Sequence, residues 1–246
     1  LFKRNLILTS ELNLSIDNNF RNSISGNASL LPYVRTDIVQ YLKGGKEYIT
    51  RLQLDHMYSP APEVYTHLMG GIFEAMYGGI GIEMLYKPFD KRYTVGFNIF
   101  EVKKRGFDQK FKFLDYQTST GHINFTYELL NGIKADISYG RYLAKDDGFT
   151  FDFSRRSSSG FKAGVWVTQT NISAQVFGEG SFDKGFYWQI PFDTFTGKYS
   201  GRHLDYMLRP LTRDGGQKLM FGKSLNGSIF NSNQLELNRD WPGHID

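Results

Sequence analysis

The residues of this 246-residue chain that could bind a metal or take part in catalysis include five histidines. They are His56, His67, His122, His203 and His244, and no two stand at His-Glu-x-x-His or a comparable metal-ligand spacing. We therefore expect no metal and no cofactor. A hydrolase would need a serine, a histidine and an acid on one face, for which His122 with Glu128, and Asp152 with Ser154, are the candidates. Lone polar residues of this kind more often line a pore, so we predict no catalytic residue and no enzyme.

Charged residues of both signs recur in clusters near the ends of the predicted strands. The clusters are Arg35 with Asp37, Arg155 with Arg156, Asp183 with Lys184, and Arg209 with Arg213 and Asp214. They could hold an acidic or neutral polysaccharide through charge-assisted and bidentate hydrogen bonds. They could instead form a salt-bridge network that stiffens the interior, and this is the interpretation we favour.

Three aromatic residues are candidates for contact with sugar. Tyr142, Trp166 and Tyr187 occupy strand positions that alternate with the apolar residues, so they fall on the polar side of the sheet. Flat rings on that side could stack on pyranose rings. These three rings are therefore a hypothesis for contact with sugar on the inner surface.

The composition excludes several classes of protein. There is no cysteine, which rules out disulfides, thiolate metal centres and a cysteine nucleophile. The net charge of +4 comes from scattered residues, so we expect no nucleic-acid partner. Aromatic residues make up 16% of a chain whose mean hydropathy is −0.39. That combination suits a protein with one apolar and one polar surface.

The sequence contains no run of about 18 apolar residues that could form a membrane-spanning helix. It also begins with Leu1 and lacks a recognisable signal segment. We expect the chain to be a processed product or a part of a longer protein.

Apolar and polar residues alternate along most of the chain, which is typical of half-buried β-strands. The sharpest case sets Phe149, Phe151 and Phe153 against Thr150, Asp152 and Ser154. Turn-forming residues such as Asn131-Gly132 separate the runs, so neighbouring strands should be antiparallel. The pattern predicts about twelve strands, at roughly 5–16, 31–42, 47–58, 63–75, 79–88, 92–104, 119–129, 134–144, 148–156, 160–170, 183–192 and 202–210.

Two parts of this prediction stay open. Residues 34–42 fit a helix as well as a strand, because Val34, Ile38, Tyr41 and Leu42 could share a helical face. Residues 1–213 are predicted to form the sheet domain, and residues 214–246 an appendage. The appendage could be a plug, a periplasmic extension or a last strand at about 228–238.

So many antiparallel strands would hide their edges by closing into an up-and-down barrel. Alternation alone does not distinguish a soluble barrel or sandwich from an outer-membrane barrel, in which the apolar side faces lipid. Large aromatics on the apolar side and mid-strand charges such as Glu128, Asp136 and Asp152 on the polar side favour the membrane barrel. The direction in which Phe149, Phe151 and Phe153 point should decide between them.

Six segments resemble the YjbH/GfcD family of bacterial outer-membrane proteins. The resemblance covers roughly residues 32–219, and the segments are residues 32–41 (PYVRTDIVQY), 77–90 (YGGIGIEMLYKPFD), 139–148 (YGRYLAKDDG), 151–156 (FDFSRR), 177–185 (FGEGSFDKG) and 209–216 (RPLTRDGG).

The resemblance implies an outer-membrane barrel, in many members a lipoprotein, that acts in exopolysaccharide or group 4 capsule secretion. It implies contact with outer-membrane lipid, with polysaccharide, and with periplasmic and lipoprotein partners from the same gene cluster. We expect a non-enzymatic component that docks partners or guides polymer. A barrel enzyme acting on polysaccharide or lipid, or a general diffusion porin, are the alternatives. One departure is that the chain ends several residues after Trp241 instead of on a terminal aromatic strand.

Overall fold

The structure, a computed structural model, describes residues 5–16, 20, 30–45, 47–177, 182–197, 202–209 and 213–230. The strands are β1 (Leu6–Leu14), β2 (Glu47–Ala61), β3 (Val64–Ile72), β4 (Tyr77–Tyr86), β5 (Tyr93–Arg105), β6 (Phe113–Glu128), β7 (Ile133–Arg141), β8 (Asp147–Arg156), β9 (Lys162–Thr170), β10 (Asp183–Pro191) and β11 (His203–Leu208). The helices are α1 (Ile38–Lys43), α2 (Ala174–Phe177), α3 (Asp193–Thr196) and α4 (Leu225–Phe230).

The strands form one antiparallel sheet in which spatial order follows chain order from β1 to β11. From β2 to β9 short turns connect consecutive strands, which makes antiparallel pairing of each strand with the one before it natural. Between β6 and β7 the turn contains Asn131 (φ 61°) and Gly132 (φ 71°). These two residue types tolerate positive φ, which explains why the chain reverses there.

Eleven of the twelve predicted strands are confirmed, and the second one, at 31–42, is wrong. Residues 38–43 form α1, as the alternative interpretation of the segment predicts. The residues before α1 form no strand, because the backbone N–H groups of Val34, Arg35 and Thr36 all donate to the carboxylate of Asp214. That interaction joins residues about 180 positions apart. No local pattern could have revealed it.

The two faces of the sheet have opposite polarity. On the outer face, Phe149, Phe151 and Phe153 are 46%, 46% and 51% exposed. On the inner face, Thr94, Thr126, Ser154 and Thr168 are each 2% exposed. The apolar side chains therefore point away from the protein and the polar ones point into it.

One end of the sheet is covered by a compact apolar core, and we call it the capped end. It carries the turns 73–76, 106–112 and 142–146. The core joins Val34 and Tyr41 from the α1 region, Phe73 and Met76 from a turn, and Leu219 from the C-terminal part. Tyr41 also donates a hydrogen bond of 2.7 Å from its hydroxyl to the carbonyl oxygen of Arg105.

The two edges of the sheet, β1 and β11, each have a single strand neighbour among the described residues. The sheet is therefore open within the part of the chain that the structure describes. In the same part, no helix has the length and apolar character needed to cross a membrane.

Candidate functional site

A cavity of about 530 Å³ lies between the inner face and the C-terminal residues 213–230, which we call the interior segment. Side chains from β4 to β11 line it together with Gly216, Lys218 and Asn226 of that segment. Residues that are register partners on neighbouring strands point to the same face of the sheet. The register of the strands therefore decides which side chains line the cavity. Asp136, Asp152 and Trp166, for example, are consecutive register partners on β7, β8 and β9.

Two of the three predicted sugar-contacting aromatics line this cavity. The guanidinium of Arg209 lies 5.0 Å from the ring centre of Trp166, and the ammonium of Lys162 lies 5.2 Å from that of Tyr187. Both distances are typical of cation–π contacts. The hydroxyl of Tyr187 also donates to Asp152 Oδ1 at 2.9 Å.

The third aromatic, Tyr142, is not part of the cavity lining. It follows β7 at the capped end and is completely buried. Its hydroxyl hydrogen-bonds with that of Thr150 at 2.7 Å, and burial raises its pKa to about 12. Its ring packs edge-on against His122, with 4.7 Å between ring centres. Its ring is therefore not accessible to a polymer.

The carboxylates of the cavity are already engaged. Thr126 donates its hydroxyl to Asp136, and the ammonium of Lys134 lies 3.1 Å from the same carboxylate. Glu83 accepts the backbone N–H of Leu225 at 2.8 Å, at the start of α4. These carboxylates therefore already interact with donor groups of the protein itself.

The interior segment is fastened at its start by Asp214. One carboxylate oxygen accepts the N–H groups of Val34 and Arg35 at 2.8 Å and of Thr36 at 3.0 Å, and the other accepts the Thr36 hydroxyl at 2.7 Å. A fully buried carboxylate is stable only when it is hydrogen-bonded in this way. Asp214 thus ties the two segments of the capped end together.

Two buried ion pairs stabilise the same region. Arg35 lies 2.9 Å from Glu74 and donates to the carbonyl oxygen of Lys218 at 2.8 Å. Lys104 pairs with Asp37, whose pKa is raised by burial against the opposing effect of that ammonium. Arg35, Asp37 and Asp214, predicted as polar clusters, are therefore engaged in a structural network.

A second set of contacts fastens the interior segment to β7–β10. Gly216 donates its N–H to Asp146 at 2.7 Å, and Gln217 donates to Asp183 at 2.7 Å. Arg209 donates to Gln217 and lies 3.7 Å from Asp183. Gly216 has φ of 70° and a Cβ there would lie 2.7 Å from Thr168, so a side chain would disturb this contact.

Lys218 extends from the interior segment into the cavity. Its ammonium donates to the hydroxyl of Ser138 on β7. Burial lowers its pKa to about 8, although Asp152 and Asp136 act in the opposite direction. Burial thus favours the neutral amine, but the side chain is still mostly charged at pH 7.

The other predicted polar residues are dispersed. Arg155 and Lys184 are exposed, and Lys184 lies 4.8 Å from the Phe182 ring. Arg156 is partly buried at the end of β8. Glu128 pairs with Lys87 at 3.2 Å, while Arg213 lies 5.5 Å from the ring of Phe177.

The candidate hydrolase set is not assembled. His122 and Glu128 are six residues apart on one strand, which corresponds to about 20 Å. His122 pairs in register with Asn98 and Gly140, whereas Asp152 pairs with Asp136 and Trp166. Among the described residues, no group of His, Cys, Asp and Glu side chains could hold a metal ion.

Sequence reasoning missed several residues of this site. Lys162 lies on the polar parity of its strand, as Asp136 does, so alternation could have identified it as a cavity residue. Lys218 and Gln217 lie in a segment without alternation, and no sequence signal marks their inward position.

Comparison with known proteins gives one family and one relative. Residues 1–230 match the family described as YjbH: Exopolysaccharide biosynthesis protein YbjH. The chain is 34% identical over 222 residues to the "Uncharacterized lipoprotein YjbH" of Escherichia coli (strain K12), covering 87% of the chain and 32% of that protein. The chain thus spans about a third of the relative's length. No solved structure matches it.

Proposed function

Because the chain belongs to the YjbH family of exopolysaccharide biosynthesis proteins, we propose that it is the sheet portion of an outer-membrane β-barrel that serves exopolysaccharide or capsule secretion. In this role the protein catalyses no reaction. It docks periplasmic and lipoprotein partners or guides polymer along its polar inner face. The relative is itself a lipoprotein, which agrees with attachment to a membrane.

The observation that carries the proposal is the inverted polarity of the sheet. Ile80, Ile99 and Ile123 are 66%, 53% and 64% exposed, whereas His67, Gln53 and Glu83 on the other side are 0%, 1% and 6% exposed. A sheet in water would gain free energy from the opposite arrangement. Lipid around the outer face removes this cost, and the polar groups of the inner face are kept away from the lipid.

The lengths of the strands fit a bilayer. The central strands β3 to β10 contain 9 to 16 residues. About 9–11 residues are needed to cross the hydrocarbon core at a tilt of about 45°. Exposed aromatic residues such as Phe125, Tyr127 and Tyr139 suit the lipid-facing and interfacial parts of such a surface.

Deletion in cells and extraction of the membranes test this proposal together. Deletion of the full-length gene should abolish surface polysaccharide. The protein should be extracted from membranes only by detergent, and its electrophoretic mobility should change on heating, as expected of an outer-membrane barrel. Ready solubility in plain buffer would contradict the membrane placement.

Two measurements distinguish the other roles. A His122→Ala substitution should leave surface polysaccharide unchanged, since no described partner connects His122 to a serine or an acid; loss of polysaccharide with an intact barrel would favour an enzyme.

Planar-bilayer recording should show little steady conductance, because the interior segment crosses the inner face from β10 to β4. Large steady conductance would favour a diffusion pore.

A further inference from the structure

The inner cavity contains cations that no described carboxylate neutralises at short range. Among the described residues, no acidic oxygen lies within 4.0 Å of the ammonium groups of Lys162 or Lys218, which instead contact the Tyr187 ring and the Ser138 hydroxyl. Both lysines are partly buried, and an ammonium that is taken from water without a paired anion is costly. A bound anion would offset that cost.

The same cavity has unused hydrogen-bonding groups. The indole N–H of Trp166 has no acceptor, and Oδ1 of Asn226 has no donor, among the described residues. Both residues line the cavity. Buried polar groups are rarely left without partners, because each one loses the hydrogen bonds it would make with water. A hydroxyl-rich ligand supplies donors and acceptors together.

The charged groups of the lining differ in how fully they are paired. Five cationic side chains line the cavity, against three carboxylates. The cations are Arg35, Lys134, Lys162, Arg209 and Lys218, and the carboxylates are Glu83, Asp136 and Asp152. The carboxylates already accept bonds from Leu225, Thr126 and Tyr187. Three of the cations are paired too, Arg35 with Glu74, Lys134 with Asp136 and Arg209 with Asp183. Lys162 and Lys218 are therefore the cations with capacity left.

On this basis, and resting on the proposed function, we propose that the inner cavity binds a short segment of an acidic polysaccharide. Lys162 and Lys218 hold its carboxylate groups by charge-assisted hydrogen bonds, and its sugar rings pack against Trp166 and Tyr187. The volume of about 530 Å³ lies within the usual range of ligand sites and suits a few sugar residues.

Calorimetric titration of the purified full-length protein in detergent tests the proposal with a matched pair of oligosaccharides. The acidic probe is hexagalacturonate, and the neutral probe is the same oligomer with its carboxyl groups reduced. We expect the acidic probe to bind at least about tenfold more tightly, because each charge-assisted bond contributes substantially to affinity. Its affinity should fall as salt is raised.

Two independent variants locate the site. Lys162→Gln and Lys218→Gln should each weaken binding of the acidic probe by about three- to tenfold and leave binding of the neutral probe nearly unchanged. Lys184→Gln is the matched control, since Lys184 is an exposed lysine next to the Phe182 ring and outside the cavity lining. It should bind like the unmodified protein. The heat-dependent mobility of every variant checks that the barrel is intact.

Equal affinity for the two probes, or unchanged affinity in both lysine variants, would overturn the assignment of an acidic ligand. Absence of binding by either probe to an intact barrel would overturn it as well, while leaving the secretion role standing if deletion still abolishes surface polysaccharide. Solubility in plain buffer would instead overturn the proposed function.

Discussion

Lys218 is an enclosed cation whose titration should be visible in the stability of the protein. Its pKa is lowered from 10.5 to about 8 by burial, so between these values the unfolded chain binds one proton more than the folded one. The free energy of unfolding should therefore rise with pH from about 8 to about 10.5, by on the order of 1–3 kcal/mol. Below pH 8 the lysine is charged in both states and contributes no slope.

Urea unfolding in detergent micelles, measured across this pH range, checks the prediction. The reference is Lys218→Met, which keeps much of the side-chain volume and removes the titrating group. The stability of the unmodified protein should rise relative to this variant above pH 8. Parallel stability curves for the two proteins would show that Lys218 titrates normally.

The sequence predicts which face of the sheet a site residue lies on only where that residue is part of a strand. Alternation fixes the face of every strand residue, and Trp166 and Tyr187 both line the cavity on the face that it predicts; their contact with sugar stays a prediction. Tyr142 has the same parity, but it lies just beyond the end of β7, where the capped end buries it. The inward position of Lys218 depends on contacts with distant strands, such as that with Ser138, so no local pattern contains it.

At the scale of elements, the outer face of β8 provides a direct test of what surrounds the sheet. Phe151 is in the middle of this strand and 46% exposed. Replacement by lysine should destabilise the assembled protein by about 2–4 kcal/mol if lipid contacts this position, because a charge at the bilayer centre is costly. In water, the same change at a half-exposed site would cost much less.

The matched control is Phe89→Lys, in the turn between β4 and β5, where the phenylalanine is 92% exposed. This variant should assemble nearly as well as the unmodified protein. The fraction of heat-modifiable protein in isolated outer membranes gives the comparison. Equal assembly of the two variants would show that the outer face of β8 is not in contact with lipid.

Strands were more predictable than the segments that connect them. A strand of this sheet needs only period-two alternation between two turns, and both signals are local. The exception at 31–42 shows the limit of that reasoning. The side chains of Val34 and Tyr41 enter the core of the capped end, and the Asp214 carboxylate takes the backbone N–H groups that a strand ladder would have used.

At the scale of the whole molecule, the number of strands restricts how the sheet can close. In an up-and-down order, odd-numbered strands all run in one direction, so β1 and β11 run parallel to each other. Closure with antiparallel pairs throughout needs an even number of strands, as in bacterial outer-membrane barrels. We therefore predict that at least one further strand, from outside the described residues, lies between β1 and β11 in the membrane.

Cysteine cross-linking tests this prediction, and these 246 residues contribute no cysteine of their own. Two strands separated by a third lie about 10 Å apart, which is too far for a disulfide but within reach of a bismaleimide linker of similar length. Double-cysteine variants of the full-length protein would combine Leu8, Ser10 or Leu12 with Leu204 or Tyr206. The linker should join some of these pairs, whereas oxidation alone should join none of them.

A positive control comes from the paired strands themselves. Cysteines at Gln189 and Asp205, which are register partners on β10 and β11, should form a disulfide on oxidation. Efficient oxidation of a β1–β11 pair would instead mean that the two edges meet directly as parallel strands. Failure of both chemistries for every β1–β11 pair, with the control reacting, would mean that more than one strand separates the edges or that the sheet stays open.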